Sequence, residues 1–207
     1  MIKKKFLELV LRNAAQNGLM SNDDLGRISL RFVEAQMTTL YADALALLIK
    51  DEASMNMFVK MYNGDDNTGI DIQYDRNNKE YYAELPIVPV QLQQNRGIVS
   101  IKAAGTDRKF YQATQSDIDL STDMDFAPYY DRLMYIVDGQ DRVRFVGFDF
   151  ASKNIRKVIM RLVPDFDSYE WTDEIVIPSG RVMELTNLLA KMLFQQDKFK
   201  DTNSDSN

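Results

Sequence analysis

The hydrophobic period of this chain switches twice, from helical to strand-like and back, and the switch limits the folds open to it. Apolar residues recur at helical spacing up to about Lys50. They alternate with polar ones through the middle, then return to helical spacing after Pro178. Helices at both ends around a β middle give an α+β class: N-terminal helices, an antiparallel β-rich middle with hairpins, and a C-terminal amphipathic helix.

The first helix is expected over Ile2 to Asn17, with Ile2, Phe6, Leu9, Val10 and Asn13 on one face and Gly18 as the stop. Ser21-Asn22-Asp23-Asp24 supplies capping oxygens and negative charge for the next helix. Its stripe is Leu30, Val33, Met37, Leu40, Tyr41, Ala44 and Leu48. Met55, Met57 and Met61, near the end of that helix, are adaptable apolar filler for a core or an interface.

After the turn cluster Asn63-Gly64-Asp65-Asp66-Asn67, Ile70 and Ile72 alternate with Asp71 and Gln73. Strands are expected at Tyr81–Leu85, Gly97–Ala103 and Lys109–Thr114, with Pro86 and Pro89 imposing an extended path that cannot be a central strand. An acidic stretch runs from Ser116 to Asp125. The strongest hairpin signal is Leu133–Val137, the turn Asp138-Gly139-Gln140-Asp141, and the alternating arm Arg142–Val146. A strand over Lys157–Val163 stops at Pro164. Pro178 and Ser179 start the last helix, whose apolar face is Val182, Leu185, Leu189, Met192 and Leu193. No solenoid repeat is present. One domain is expected over residues 1–200, with a flexible polar tail over 201–207.

Composition removes several chemistries. The 207 residues contain no cysteine, so disulfides, thiolate metal sites and cysteine nucleophiles are excluded, in keeping with synthesis in a reducing cytoplasm. Histidine, the usual general base and commonest metal ligand, is also absent. A formal charge of −6 disfavours counterion release onto DNA as the main activity. The start Met1-Ile2-Lys3-Lys4-Lys5 does not lead into a signal peptide, because Glu8 and Arg12 break the apolar run and no small-residue cleavage site follows; the lysines read as a solvated helix start. No span is apolar enough for a bilayer, so no membrane partner is expected.

Asp117, Asp119, Ser121 and Asp123 put oxygen side chains at alternate positions as in a calcium loop. That register, however, puts Thr122 where the turn glycine belongs and Pro128 where the bidentate glutamate belongs. The stretch reads as a solvated acidic loop. The nine glycines form no phosphate cradle. Tyr81, Tyr82, Tyr129, Tyr130 and Trp171 read as cross-strand packing rather than stacking platforms. No catalytic, cofactor-binding or metal-ligating set emerges, and no cofactor is expected.

The order of elements resembles the head-to-tail connector, or ring, proteins of crAss-like and similar short-tailed phages. The resemblance is carried by two helices before Tyr81-Tyr82-Ala83-Glu84-Leu85-Pro86, then Arg96-Gly97-Ile98-Val99-Ser100-Ile101, the strand with Phe110-Tyr111, and the hairpin Tyr135–Phe145 after the acidic loop. It is carried further by Lys157-Val158-Ile159-Met160-Arg161-Leu162-Val163-Pro164, the step Glu174-Ile175-Val176-Ile177-Pro178 into a helix, and the Asp/Asn/Ser-rich end. It covers most of the chain as a pattern of elements, not as an invariant motif.

The resemblance implies a non-enzymatic virion protein, made in the bacterial host and closing into a homo-oligomeric, dodecameric ring below the portal or on another tail ring. Double-stranded DNA would pass through its channel without specific binding during ejection. Phe6, Leu9, Val10, Leu189 and Met192 are the expected interface residues, with a core role for each equally open. Asp117, Asp119, Asp123 and Asp125 are expected to face the channel or a neighbouring subunit. Two other classes compete: a small β-rich module binding glycans or a host surface, marked by exposed aromatics, and a carboxylate hydrolase, which needs two close acids in a cleft.

Overall fold

The computed structural model describes residues 1–92, 97–114, 116–117, 133–139, 141–146 and 154–201, without the side chains of Asn22 and 196–201. The chain forms two compact units, each threaded from separate stretches: 1–58, 90–94 and 164–207 in the first, 59–89 and 95–163 in the second. Both lie within the span expected as one domain. The tail 202–207 lies outside the described residues.

The first unit is helical. α1 (Lys3–Gln16), α2 (Asn22–Leu25), α3 (Leu30–Leu48) and α4 (Glu52–Asn56) precede a 3-10 turn at Phe166–Ser168, a second at Ser179–Arg181 and α5 (Val182–Asp201). Both α1 and α3 pack on α5. Phe6, Val10, Met37, Tyr41, Phe166 and Leu185 are among its buried core residues.

No side chain caps α1. Instead, the amides of Lys3 and Lys4 donate to the carbonyls of Asp173 (2.9 Å) and Trp171 (3.3 Å), which satisfies first-turn groups that have no partner within the helix. The long helix α3 is capped by Ser29, whose Oγ accepts from the Phe32 amide. Ser21 caps only the single turn of α2, so the expectation that Ser21–Asp24 opens the long helix is corrected. Asp51 and Ser54 form a reciprocal capping box on α4, which separates Met55 and Met57 from α3. Met61 lies beyond the helices, on a strand.

The second unit is a curled sheet of nine strands among the described residues. They are β1 (Lys60–Tyr62), β2 (Ile70–Asp71), β3 (Gln73–Asp75), β4 (Glu80–Glu84), β5 (Ile98–Ala103), β6 (Lys109–Gln112), β7 (Met134–Asp138), β8 (Arg142–Val146) and β9 (Lys157–Leu162). The order is β1-β9-β5-β6-β7-β8-β4-β3, with β2 also on β9. All pairs are antiparallel except β6 with β7. The β7–β8 hairpin pairs Met134 with Val146 and Asp138 with Arg142, with Gly139 at φ +71 in its turn.

Residues 70–75 link β9, next to one end of this order, to β4, next to the other. Ile70 and Asp71 pair with Val158 and Lys157, and the Ile72 amide continues onto the Arg156 carbonyl at 2.8 Å. On the other side, Gln73, Tyr74 and Asp75 pair with Tyr82, Tyr81 and Glu80. One short extended segment thus bonds both β9 and β4, and the sheet curls around an apolar interior that includes Ala83, Ile101, Phe110, Val143, Met160 and Leu162.

Candidate functional site

The curled sheet holds a groove of about 440 Å3, lined by Gly64, Asp65, Asp66, Gly69, Ile70, Asp71, Gln73, Glu84 and Lys157. Its chemistry is set by the loop between β1 and β2. Asp66 Oδ1 accepts the Thr68 amide at 2.9 Å and Asp66 Oδ2 accepts the Thr68 hydroxyl at 2.6 Å. Lys157 Nζ donates to Asp66 Oδ2 at 2.9 Å and lies 3.7 Å from Asp71 Oδ1. The Thr68 and Lys157 hydrogen bonds hold the Asp66 carboxyl far below its usual range, and the Asp66 contact holds the Lys157 ammonium above its own. Both groups stay charged across the neutral range. This arrangement locks a loop; a general acid or base needs a pKa near the working pH.

The other described acids with shifted values also have structural partners. Ser54 lowers Asp51 and the amides of Asn77 and Asn78 lower Asp75. Asp165 moves the other way: burial raises its carboxyl, which accepts the Phe166 amide at 2.7 Å as the cap of a 3-10 turn. Among the described residues no three acidic side chains gather as a metal site, and no helix is long and apolar enough to cross a membrane.

A different buried charge is the most unusual feature of the helical unit. Lys3 is only 3% exposed. Its Nζ lies 2.8 Å from Glu34 Oε1, donates to the Tyr169 carbonyl at 2.7 Å, and sits 4.6 Å from the centre of the Phe166 ring. The reading of Lys3-Lys4-Lys5 as a solvated helix start is therefore corrected for Lys3: helical phase turns it inward, while Lys4 and Lys5 remain exposed. The sequence held one clue, since Lys3 falls three residues before Phe6 and shares its face.

The expected interface residues divide. Phe6, Val10 and Leu189 are fully buried in the helical core and cannot meet a neighbour in this conformation; Leu9 and Met192 are half-buried. The cause is packing of α1 on α5, which turns each helix's apolar stripe toward the other. Of the acidic-loop residues, Asp117 accepts both the amide and the hydroxyl of Thr114 at 2.7 Å. Asp119, Asp123 and Asp125 lie outside the described residues, as do Tyr129 and Tyr130.

Tyr81 and Tyr82 pack across strands as read. Tyr81 lies 4.8 Å from Tyr74, ring centre to centre, and the Tyr82 hydroxyl donates to Gln73 Oε1 at 2.7 Å. Beside Tyr82 on the outward face, Arg144 pairs with Glu80, and Arg142 pairs with Asp138 at 2.7 Å. Trp171 is half-buried, with its carbonyl on the Lys4 amide.

Several large apolar side chains remain exposed: Phe32, Leu47, Met57 and Met183 in the helical unit, and Met61, Tyr74, Val88 and Tyr111 in the sheet unit. The sequence offered Met57 and Met61 as filler for a core or an interface and singled out none of the others as exposed contacts. Phe32 is out of phase with the α3 stripe, and Tyr111 must face away from buried Phe110 by strand alternation, so phase was the available signal for these two. No family model matches the chain, and no curated protein matches it.

Proposed function

We propose that this chain is a non-catalytic, ring-forming subunit of a phage head-to-tail connector, closing as a dodecamer below the portal or on another ring around the DNA channel. The observation that carries the reading is the set of large apolar side chains left exposed on both units: Phe32, Leu47, Met57 and Met183 on one, Met61 and Tyr111 on the other. Exposed apolar surface of this kind suits repeated contacts between identical subunits, and a heterologous contact that closes makes a ring. Strand β1, which carries Met61, ends the sheet order and adds backbone groups at that margin. The net charge of −6 suits passage of DNA without retention.

Native mass spectrometry of the purified chain, alone and with the portal protein of the same phage, tests this. The expected outcome is a closed homo-oligomer or a stoichiometric ring on the portal. A strict monomer that ignores both portal and other ring proteins would overturn it. A second reading, a glycan- or host-surface-binding module, is favoured by Tyr74 and Tyr111, which are 49% and 61% exposed. A monomer that binds a glycan array, and loses that binding in Tyr111→Ala, would replace the ring.

A further inference from the structure

The outward face of the β5–β6 hairpin carries a charge pattern that the curled sheet does not explain. Lys102 stands directly across from Lys109 in the antiparallel register. Like charges directly opposite each other repel and weaken a strand pair. Among the described residues neither has an ion-pair partner, and Lys157, not these two lysines, takes Asp66 and Asp71 of the neighbouring loop. Arg108, exposed like Lys109, adds a third cation to the half-buried Lys102 in the hairpin, whose only acid is Asp107. Tyr111, two residues along the same face as Lys109, is 61% exposed. The result is a cationic strip with an aromatic residue beside it on a subunit of net charge −6.

We propose that this strip, Lys102, Arg108, Lys109 and Tyr111, is the docking surface for the acidic segment Asp117–Asp125 of a second copy of the chain. The inference rests on the ring reading and names the contact that would close it. Charge complementarity selects the occupant. The segment carries Asp117, Asp119, Asp123 and Asp125, and no basic residue stands between Lys109 and Arg132. The whole-chain charge disfavours duplex DNA as the occupant.

The segment of the same copy starts from the opposite end of β6, roughly 10 Å along the strand from Lys109 at ordinary strand rise. It begins with Asp117 turned back onto Thr114. A neighbouring copy can bring its segment to the strip from the side. Because strip and segment are different surfaces, the contact is head-to-tail, the kind that propagates around a closed ring.

The test uses the full chain, with portal where the free chain does not close, and three samples: K102E/K109E, D119K/D123K, and their equal mixture. All substituted residues are at the surface or in the acidic run, and circular dichroism checks that each variant folds. Each variant alone is expected to lose at least nine-tenths of the wild-type oligomer in native mass spectrometry. The mixture is expected to regain the oligomer with the two variants alternating, since the acidic strip of one meets the lysine-bearing segment of the other, and at the next contact an intact strip meets an intact segment. Wild-type oligomer should also weaken as potassium chloride is raised.

Oligomer that persists in K102E/K109E overturns the docking surface while leaving the ring reading intact. Two inactive variants whose mixture forms no mixed oligomer overturn the pairing of strip with segment. Wild-type retention of duplex DNA that is lost in K102E/K109E, with oligomer unchanged, reassigns the strip to nucleic acid. A wild-type chain that stays monomeric with portal and other ring proteins overturns the ring reading and the docking surface together.

Discussion

Lys3 shows how far a single side chain can depart from what its type suggests. Three consecutive lysines read as solvent-facing, and two are; the third is placed by helical phase against Phe166 and paired with Glu34. Breaking a fully buried ion pair costs about 3 to 5 kcal/mol, but the Glu34 side chain is 23% exposed and can rehydrate, so Lys3→Ala is expected to cost about 2 to 3 kcal/mol in urea unfolding. A midpoint within error of wild type would mean that desolvation cancels the pair.

Two buried phenols make a second prediction at this scale. Burial pushes Tyr135 and Tyr169 each up to about 12. A group with a raised folded pKa contributes stability that is complete below the unfolded value, near 10, and is lost as pH rises through the folded value. Alkaline loss of stability is therefore expected between about pH 10 and 12. Tyr135→Phe should flatten that loss in urea titrations, and phenolate absorbance should show Tyr135 ionising only with unfolding. Asp66 runs the opposite way: its depressed pKa gives stability above the unfolded value that is lost on acidification, so the gap in urea midpoint between wild type and Asp66→Asn should shrink from pH 6 toward pH 3.

Elements were legible wherever the signal is local. The β7–β8 hairpin was readable because alternation and a short Gly-containing turn lie within a few residues. The boundary of α3 was not, because Ser21 and Ser29 both offer a capping oxygen and only the packed chain selects Ser29 for the long helix. Ser29→Ala should cost about 1 kcal/mol and Ser21→Ala less, since Ser21 caps one turn. The double use of residues 70–75 by β9 and β4, and the parallel β6–β7 pair, depend on partners far along the chain and leave no local trace.

Gly69 marks that closure. It adopts φ +124, and an added Cβ would lie 2.9 Å from Lys157 Cβ, 3.0 Å from Ala104 Cβ and 3.2 Å from the Val158 carbonyl oxygen. Gly69→Ala is expected to cost about 2 to 3 kcal/mol through combined strain and overlap, against about 1 kcal/mol for Gly18→Ala, where the space is open. Equal costs measured by denaturant titration would remove the role of close approach.

At the scale of the whole molecule, the α+β class with helices at both ends of a β middle was readable from periodicity, while the division into two interleaved units was not, because period carries no information about which stretches share a core. The same limit explains the interface residues. The apolar faces of α1 and α5 are equally suited to a core or a neighbour, and only their mutual packing assigned Phe6, Val10 and Leu189 to the inside.

The threading of the helical unit has a consequence for biosynthesis. Phe6 and Val10 belong to a core completed by Phe166, Leu185 and Leu189, so α1 leaves the ribosome long before its covering helix exists. The curled sheet waits similarly for β9 to meet β1, β2 and β5. Maturation must be largely post-translational, with sticky intermediates that favour chaperone capture. Nascent chains stalled before residue 182 should accordingly remain protease-sensitive in α1, and extension through α5 should confer protection in one late step.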